Sequence, residues 1–295
     1  MSRRPLHARF LDFFSDLYRS FRFSFHHLQE KKKFGDYYFA YRPLHKGESV
    51  NILANGPSLN NELEALMKEN SSLKNSLVVN YFAFSSLFEQ LEPQYYCLAD
   101  PLFFTEDRYT ENVYRLFAEL NKVFWKMDLF VWIQGVETIK KYVKNENITI
   151  NGVSTLQFEG FEAQRNNYLK MGKAVPSYVN VTIMGLYVLL NLGYDIINLY
   201  GVDHSFLAGL CVNDDNRLCI NDHHFYGSEK REFAPKMDGS LWTMKDFVYD
   251  KYLTFVEHEF MRGYADHLGA KIINCTKDSW IDAYVRKAQI DKQSE

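Results

Sequence analysis

The chain has 295 residues, 46% of them hydrophobic and 24% charged, with a formal net charge of −3. That length suits one or two domains whose core needs no disulfide or metal staple. The composition excludes a disordered or low-complexity chain, and 34 basic against 37 acidic residues argues against a general nucleic-acid binder, which would carry a basic excess. Aromatic residues stand out, with 24 Phe and 20 Tyr against 15 Gly. A thick core, an aromatic-lined pocket or a membrane-facing surface would each explain them. Cys97, Cys211, Cys219 and Cys275 form no CxxC pair and no familiar zinc spacing, so they read as free thiols in a reducing cytosol. No run of 18 apolar residues occurs, and no transmembrane helix is expected. Asp12, Asp16, Arg19 and Arg22 interrupt the region where a signal peptide would need its apolar stretch.

Residues 1–45 read as a separate N-terminal extension. Through Lys33 it carries eight basic residues against three acidic ones, a charge of +5 that leaves −8 for the remainder. Phe10, Phe14, Leu17, Phe21 and Leu28 recur near helical spacing, with Asp12, Ser15, Asp16, Arg19 and Arg22 on the other face. This pattern predicts a basic, aromatic amphipathic helix. Two uses are open for it: docking on the protein's own core or a dimer partner, or lying in an anionic membrane surface.

From Val50 onward, short apolar strands alternate with helices. Strands are expected at 50–54, 76–80, 95–99, 129–134, 196–202 and 271–275, and helices at 59–69, 106–125, 136–144, 179–192 and 243–268. Such alternation predicts an α/β fold: a single modified Rossmann-like parallel sheet with helices on both faces, spanning 46–290. Ligands on these sheets sit at the carboxyl ends of the strands. The stretch 205–240, rich in Asn, Asp, Gly and His, is long for a connection and reads as a lid insertion or a surface hairpin.

The candidate site residues follow from the strand ends. After the first strand come Asn55, Gly56, Pro57 and Ser58, where Gly56 permits close backbone approach and Ser58 can cap the next helix. A helix N-terminus at such a place favours a phosphate, although neither GxGxxG nor a Walker sequence is present. Asn80 and Asp100 close the next two strands; either could read a ribose or base edge, or merely cap a helix. The segment 178–194 is apolar nearly all round and predicts a buried helix, with Asn180 and Thr182 in its first turn and Gly193 as its C-terminal cap. The strand at 196–202 runs into Gly201, Asp203, His204 and Ser205, and Asp222, His223, His224, Phe225 and Tyr226 follow later. No metal is expected, because HxH and HExxH spacings are missing. A histidine near neutrality suits a general base, with His224, His223 and His204 as candidates. Asp214-Asp215-Asn216 has no apolar strand before it and reads as a turn.

Taken in order, NGPSL at 55–59, Asn80 with its aromatic neighbours, ADPLFF at 99–104, and the block 181–203 ending LGY…LYGVD resemble the bacterial sialyltransferases and related CMP-nonulosonate transferases. A weaker match is IINCTKDSWIDAY at 272–284. The same skeleton is shared with the hydroxymethylpterin diphosphokinase-like group. The resemblance implies a metal-independent, inverting glycosyltransferase with no cofactor. Its donor would be a CMP-activated acidic sugar and its acceptor a glycan or glycolipid of a bacterial surface polysaccharide. It implies that Asn55, Gly56, Pro57, Ser58, Asn80, Asp100, Asn180, Thr182, Gly201, Asp203 and Ser205 surround the donor, with Val181 in the slot of a family serine. It also implies lid hydroxyls on the departing phosphate, where Ser205 replaces the first tyrosine and Tyr226 is the candidate for the second. The expected location is cytoplasmic, on the inner face of the membrane through residues 1–33, with no nucleic-acid partner and a homo-oligomer as a further expectation. Two other functions compete: a Mg²⁺-dependent pterin or nucleotide pyrophosphokinase using Asp100 and Asp203, and a non-catalytic membrane assembly partner.

Overall fold

The computed structural model describes residues 6–292, apart from 38, 40, 70–72, 178–179, 225–226, 234 and 237–238; the side chains at 6–10, 36, 64–65, 68–69, 221–230 and 291 also lie outside the described set. In chain order, α1 (Leu6–Phe34) precedes β1 (Ser49–Leu53), α2 (Leu59–Glu69), β2 (Ser76–Val79), α3 (Phe88–Leu91) and β3 (Tyr95–Leu98). There follow α4 (Glu111–Asn121), β4 (Met127–Trp132), α5 (Val136–Tyr142), β5 (Ile148–Val153), α6 (Arg165–Lys170), α7 (Val181–Leu192) and β6 (Ile196–Tyr200). The last part holds β7 (Leu210–Val212), β8 (Leu218–His224), β9 (Gly227–Glu232), α8 (Met244–Leu268), β10 (Lys271–Asn274), β11 (Val285–Arg286) and α9 (Lys287–Asp291).

Eight strands form one sheet in the order β11-β10-β6-β1-β2-β3-β4-β5, with every neighbouring pair parallel. The chain winds one way from β1 through β2 to β5 and the other way through β6 and β10. The order therefore reverses between β1 and β6, and such a switch point opens a crevice at the strand ends. β2 and β3 are buried at every residue, as expected of strands covered on both faces. Two cores result. α7 and α8 pack with Ile52, Leu77, Tyr95 and Phe130 on one face. α2, α4 and α5 pack with Leu53, Val78, Tyr96 and Leu129 on the other.

The expected α/β fold and its Rossmann-like parallel sheet are thus present. Two expectations need correction. The strand β5 falls in a stretch read as connection, because Asn151 and Gly152 are poor strand formers and its burial does not alternate cleanly. The helix expected over 106–125 is shorter, since Tyr109 adopts an extended conformation and α4 starts only after it. For α1, where both uses were open, the residues that defined the apolar face are divided, with Leu17 half-buried. Phe14, Phe21 and Leu28 are exposed, whereas Phe23, His27 and Glu30 are buried. Phe23 meets the rings of Phe158 and Tyr168, and the Glu30 carboxylate accepts from Ser154 Oγ at 2.6 Å and Gln134 Nε2 at 3.2 Å.

The 205–240 excursion contains a three-stranded antiparallel sheet in the order β7-β8-β9, with Ile220 opposite both Leu210 and Arg231. Leu218, Ile220 and Phe247 of α8 form a small core of their own beneath it.

Candidate active site

A cavity of about 360 Å³ lies at the carboxyl ends of the central strands, at the switch point. Ala54, Asn55, Gly56 and Pro57 reach it from the end of β1, Val79, Asn80 and Tyr81 from β2, and Asp100 from β3. Asn180, Val181 and Thr182 bring the N-terminus of α7 to it. Gly201 and Asp203 through Phe206 follow β6, and Ile220 and Arg231 come from the antiparallel sheet. Residues from Ala54 to Arg231 meet here because parallel strands all end on the same side of a sheet.

Steric closeness holds the turns after β1 and β6 together. The Gly56 N–H donates to the Gly201 carbonyl at 2.8 Å, and a Cβ on Gly56 would collide with that oxygen and with Asp203 Oδ2. Gly201 has a φ of 65° and donates its N–H to Glu62 Oε2 at 2.8 Å. The other Glu62 oxygen accepts from Lys277 N. Burial pushes the Glu62 carboxyl above its ordinary range, and the backbone and Ser58 hydrogen bonds pull the other way. Ser58 is not among the cavity-lining residues. Its Oγ donates to Asp203 Oδ2 at 2.8 Å and its N–H to Asp203 Oδ1 at 3.3 Å, so it fixes Asp203 rather than reaching into the cavity. Asp203 is likewise pushed up by burial and pulled back by those two bonds.

The polar strand-end residues divide into two kinds. Asp100 accepts from Leu102 N at 2.9 Å, and Asn180 accepts from Thr182 N at 2.8 Å, so both cap the helical turn that follows while lining the cavity. Asn55 and Asn80 differ. Asn55 Nδ2 donates to the Val79 carbonyl at 3.1 Å, which leaves its Oδ1 buried without a donor among the described residues. Asn80 Oδ1 is in the same condition. Asn80 also sits at a φ of 46°, a left-handed conformation that Asn tolerates better than most residues. Buried polar atoms are normally paired, and two unpaired carbonyl oxygens on adjacent strand ends mark acceptors held for an N–H or O–H donor.

Among the described residues, His204 is the histidine that lines the cavity. It too has a positive φ, 51°, and its ring lies 4.7 Å from that of Phe206. Its Nε2 is 3.0 Å from Nε2 of His258 on α8, and His258 Nδ1 is 2.8 Å from the Tyr284 hydroxyl. His258 and Tyr284 are buried as well. An Nε2–Nε2 hydrogen bond needs one protonated and one bare nitrogen, so the pair shares a proton along this contact. Burial holds the His204 imidazole well below its ordinary pKa, helped by His258 and Lys251, and burial brings His258 down to about 3. Both rings are therefore neutral at pH 7. Nε2 of His204 is committed to His258, and only Nδ1 remains to exchange a proton with anything in the cavity.

Of the three candidate bases, His204 is the one placed here. His223 and His224 belong to β8, but their side chains lie outside the described residues, as does all of Tyr226. His258 and Tyr284 escaped the sequence reading. A signal existed for His258: Phe247, Thr254, His258, Met261 and Ala265 share one helical phase, and all are buried. A histidine on the inner stripe of an amphipathic helix needs a polar partner inside the fold. Among the described residues no group of three or more His, Cys, Asp or Glu gathers as metal ligands would, and no helix is long and apolar enough to cross a membrane. No protein-family model matches this chain, and no curated protein shows significant similarity to it.

Proposed function

We propose that this chain is a glycosyltransferase that moves a sialic-acid-like nonulosonate, or a related keto-sugar acid, from a CMP donor to a glycan acceptor. The observation that carries the reading is the convergence of the NGPSL turn, Asn80, the α7 N-terminus and the Gly201–Ser205 turn on one cavity beside a neutral imidazole. The two unpaired carbonyls of Asn55 and Asn80 suit the amino and hydroxyl donors of a nucleoside. The N-terminal end of α7, with Arg231 also lining the cavity, offers positive potential to a phosphate or a sugar carboxylate.

In this mechanism His204 takes the proton of an acceptor hydroxyl as that oxygen attacks the anomeric carbon. The bond from that carbon to the CMP phosphate oxygen breaks on the opposite face, so configuration inverts and CMP leaves with the electron pair. His204 takes that proton at Nδ1 in the tautomer whose Nε2–H donates to the bare Nε2 of His258, and this contact holds the ring in place. The reaction as proposed draws on no metal. The pyrophosphokinase alternative would need Asp100 and Asp203 as Mg²⁺ ligands. Asp203 spends both oxygens on Ser58, and Asp100 spends one on Leu102, which favours the transferase. We also propose that the work is done on the inner face of a membrane, beside a glycolipid acceptor; the exposed apolar residues of α1 support that placement.

The test is CMP release from a panel of CMP-nonulosonates, with and without EDTA. Turnover in both conditions is the expected result. Absence of both turnover and calorimetric CMP binding, or a strict need for ATP and Mg²⁺, would overturn the reading.

A further inference from the structure

The structure gives α1 two apolar faces. The inner face is pinned: Phe23 sits between Phe158 and Tyr168, Phe13 meets Phe161, and Arg22 pairs with Glu159. A Cβ on Gly160 would strike Ser20, so the helix and the 158–161 loop are in close contact. A helix anchored in this way cannot roll to bury its other side. On that side Leu11, Tyr18, Phe21, Phe25 and Leu28 are 59 to 69% exposed. At 3.6 residues per turn they fall in an arc of about 100° and run about 26 Å along the axis. A contiguous exposed apolar stripe of that length marks an interaction surface.

The charges around the stripe are sorted. Asp12, Asp16 and Glu30 lie in the helical phase of the docked face, and Glu30 is bonded to Ser154 and Gln134 there. Arg22 borders the stripe, and Lys31, Lys32 and Lys33 end the helix beside it. An aromatic and leucine stripe bordered by bases, with its acids turned away, is complementary to anionic headgroups over acyl chains. Pairing of stripes with a second copy is the competing occupant, and it lacks the match of the Lys31–Lys33 end to anionic headgroups.

We infer that the outward face of α1 docks on an acidic phospholipid surface, held in register by the inner face. This deepens the surface-association part of the function proposed above and uses none of the donor chemistry. Its failure would leave the CMP-release result intact.

The experiment is vesicle flotation of the full chain, with phosphatidylcholine alone or mixed with phosphatidylglycerol, at low and high salt. Binding is expected to the mixed vesicles at low salt, weakened at least tenfold by high salt or by omission of the anionic lipid. The double substitution Phe21→Ser with Phe25→Ser is expected to weaken it at least tenfold, with helicity by circular dichroism and CMP binding unchanged. Charge reversal at Lys31, Lys32 and Lys33 is expected to cost about a hundredfold or more, since each such residue contributes roughly fivefold at an anionic surface. No flotation of the intact protein at low salt would overturn the inference. So would a dimer in sedimentation equilibrium that Phe21→Ser with Phe25→Ser dissociates, which would assign the stripe to a second copy.

Discussion

The strand-end cavity and the outer face of α1 break the ordinary burial rule in opposite directions. In the cavity, carbonyl oxygens and imidazoles have been taken out of water; on α1, aromatic rings have been left in it. Other buried polar groups nearby are closely paired. Asp203 and Glu62 use both carboxylate oxygens, and the buried Tyr95 and Tyr194 hydroxyls bond each other at 2.9 Å. An unpaired buried acceptor costs about 1–3 kcal/mol, and an exposed ring forgoes a comparable burial gain. Both regions carry groups whose demands something outside the chain would meet.

The sharpest break of the cavity half of this comparison is His204→Asn. Turnover of a CMP-sugar is expected to fall about 10²- to 10⁴-fold, the usual yield of a general base, with CMP affinity within a few-fold of wild type. Steady-state kinetics with calorimetry checks it, and unchanged turnover would move the base to β8.

Within α1, Phe23→Ala is expected to cost about 3–5 kcal/mol in urea unfolding, because it empties a packed site. Phe21→Ser, two residues away, is expected to stay within about 0.5 kcal/mol. Equal costs would mean the outer face is part of the core after all.

A pH series isolates the buried imidazoles. Their folded pKa values lie below the unfolded 6.5, with His258 at about 3. The unfolded state therefore binds more protons in that interval. The stabilisation is present in full above about pH 6.5 and is lost as pH falls toward 3. The expected slope is on the order of 1 kcal/mol per pH unit for each ring. Glu62 and Asp203, whose carboxyls are raised, act in the opposite sense above the ordinary carboxylate range, so the comparison between variants isolates the imidazole. Urea midpoints below about pH 6.5 should fall less steeply on acidification for His258→Phe than for wild type; parallel slopes would refute the account.

The smallest effect is expected from Asn80→Gly. Glycine accepts the positive φ, so stability should hold to within a few tenths of a kcal/mol, while CMP affinity drops about tenfold for one lost hydrogen bond. A calorimetric titration reads the difference directly.

Much of the fold was legible in the residues. The runs at 76–79 and 95–98 are apolar throughout because both faces of those strands are covered, and that pattern needs no knowledge of neighbours. Asn180 and Gly193 bracket α7 through local backbone chemistry, which short-range sequence carries well. The edge strand β5 was not legible, because its pairing with β4 outweighs its own weak preference. For the same reason α1 was half legible. Its helical period was plain, but periodicity could not say which of two apolar faces the 158–161 loop would take.

By itself the sequence determined the alternation of strands and helices, and with it that polar residues such as Asn55, Asn80 and Asp203 would gather at one end of a parallel sheet. Those outcomes depend on hydrophobic period and turn chemistry, which act over a few residues. Only the tertiary structure decided that Ser58 would serve Asp203, that two asparagine carbonyls would be left without donors, and that His204 would meet His258 from 54 positions away. Those outcomes depend on distances between segments that no local preference encodes, because they arise when separate elements compete for the same buried space.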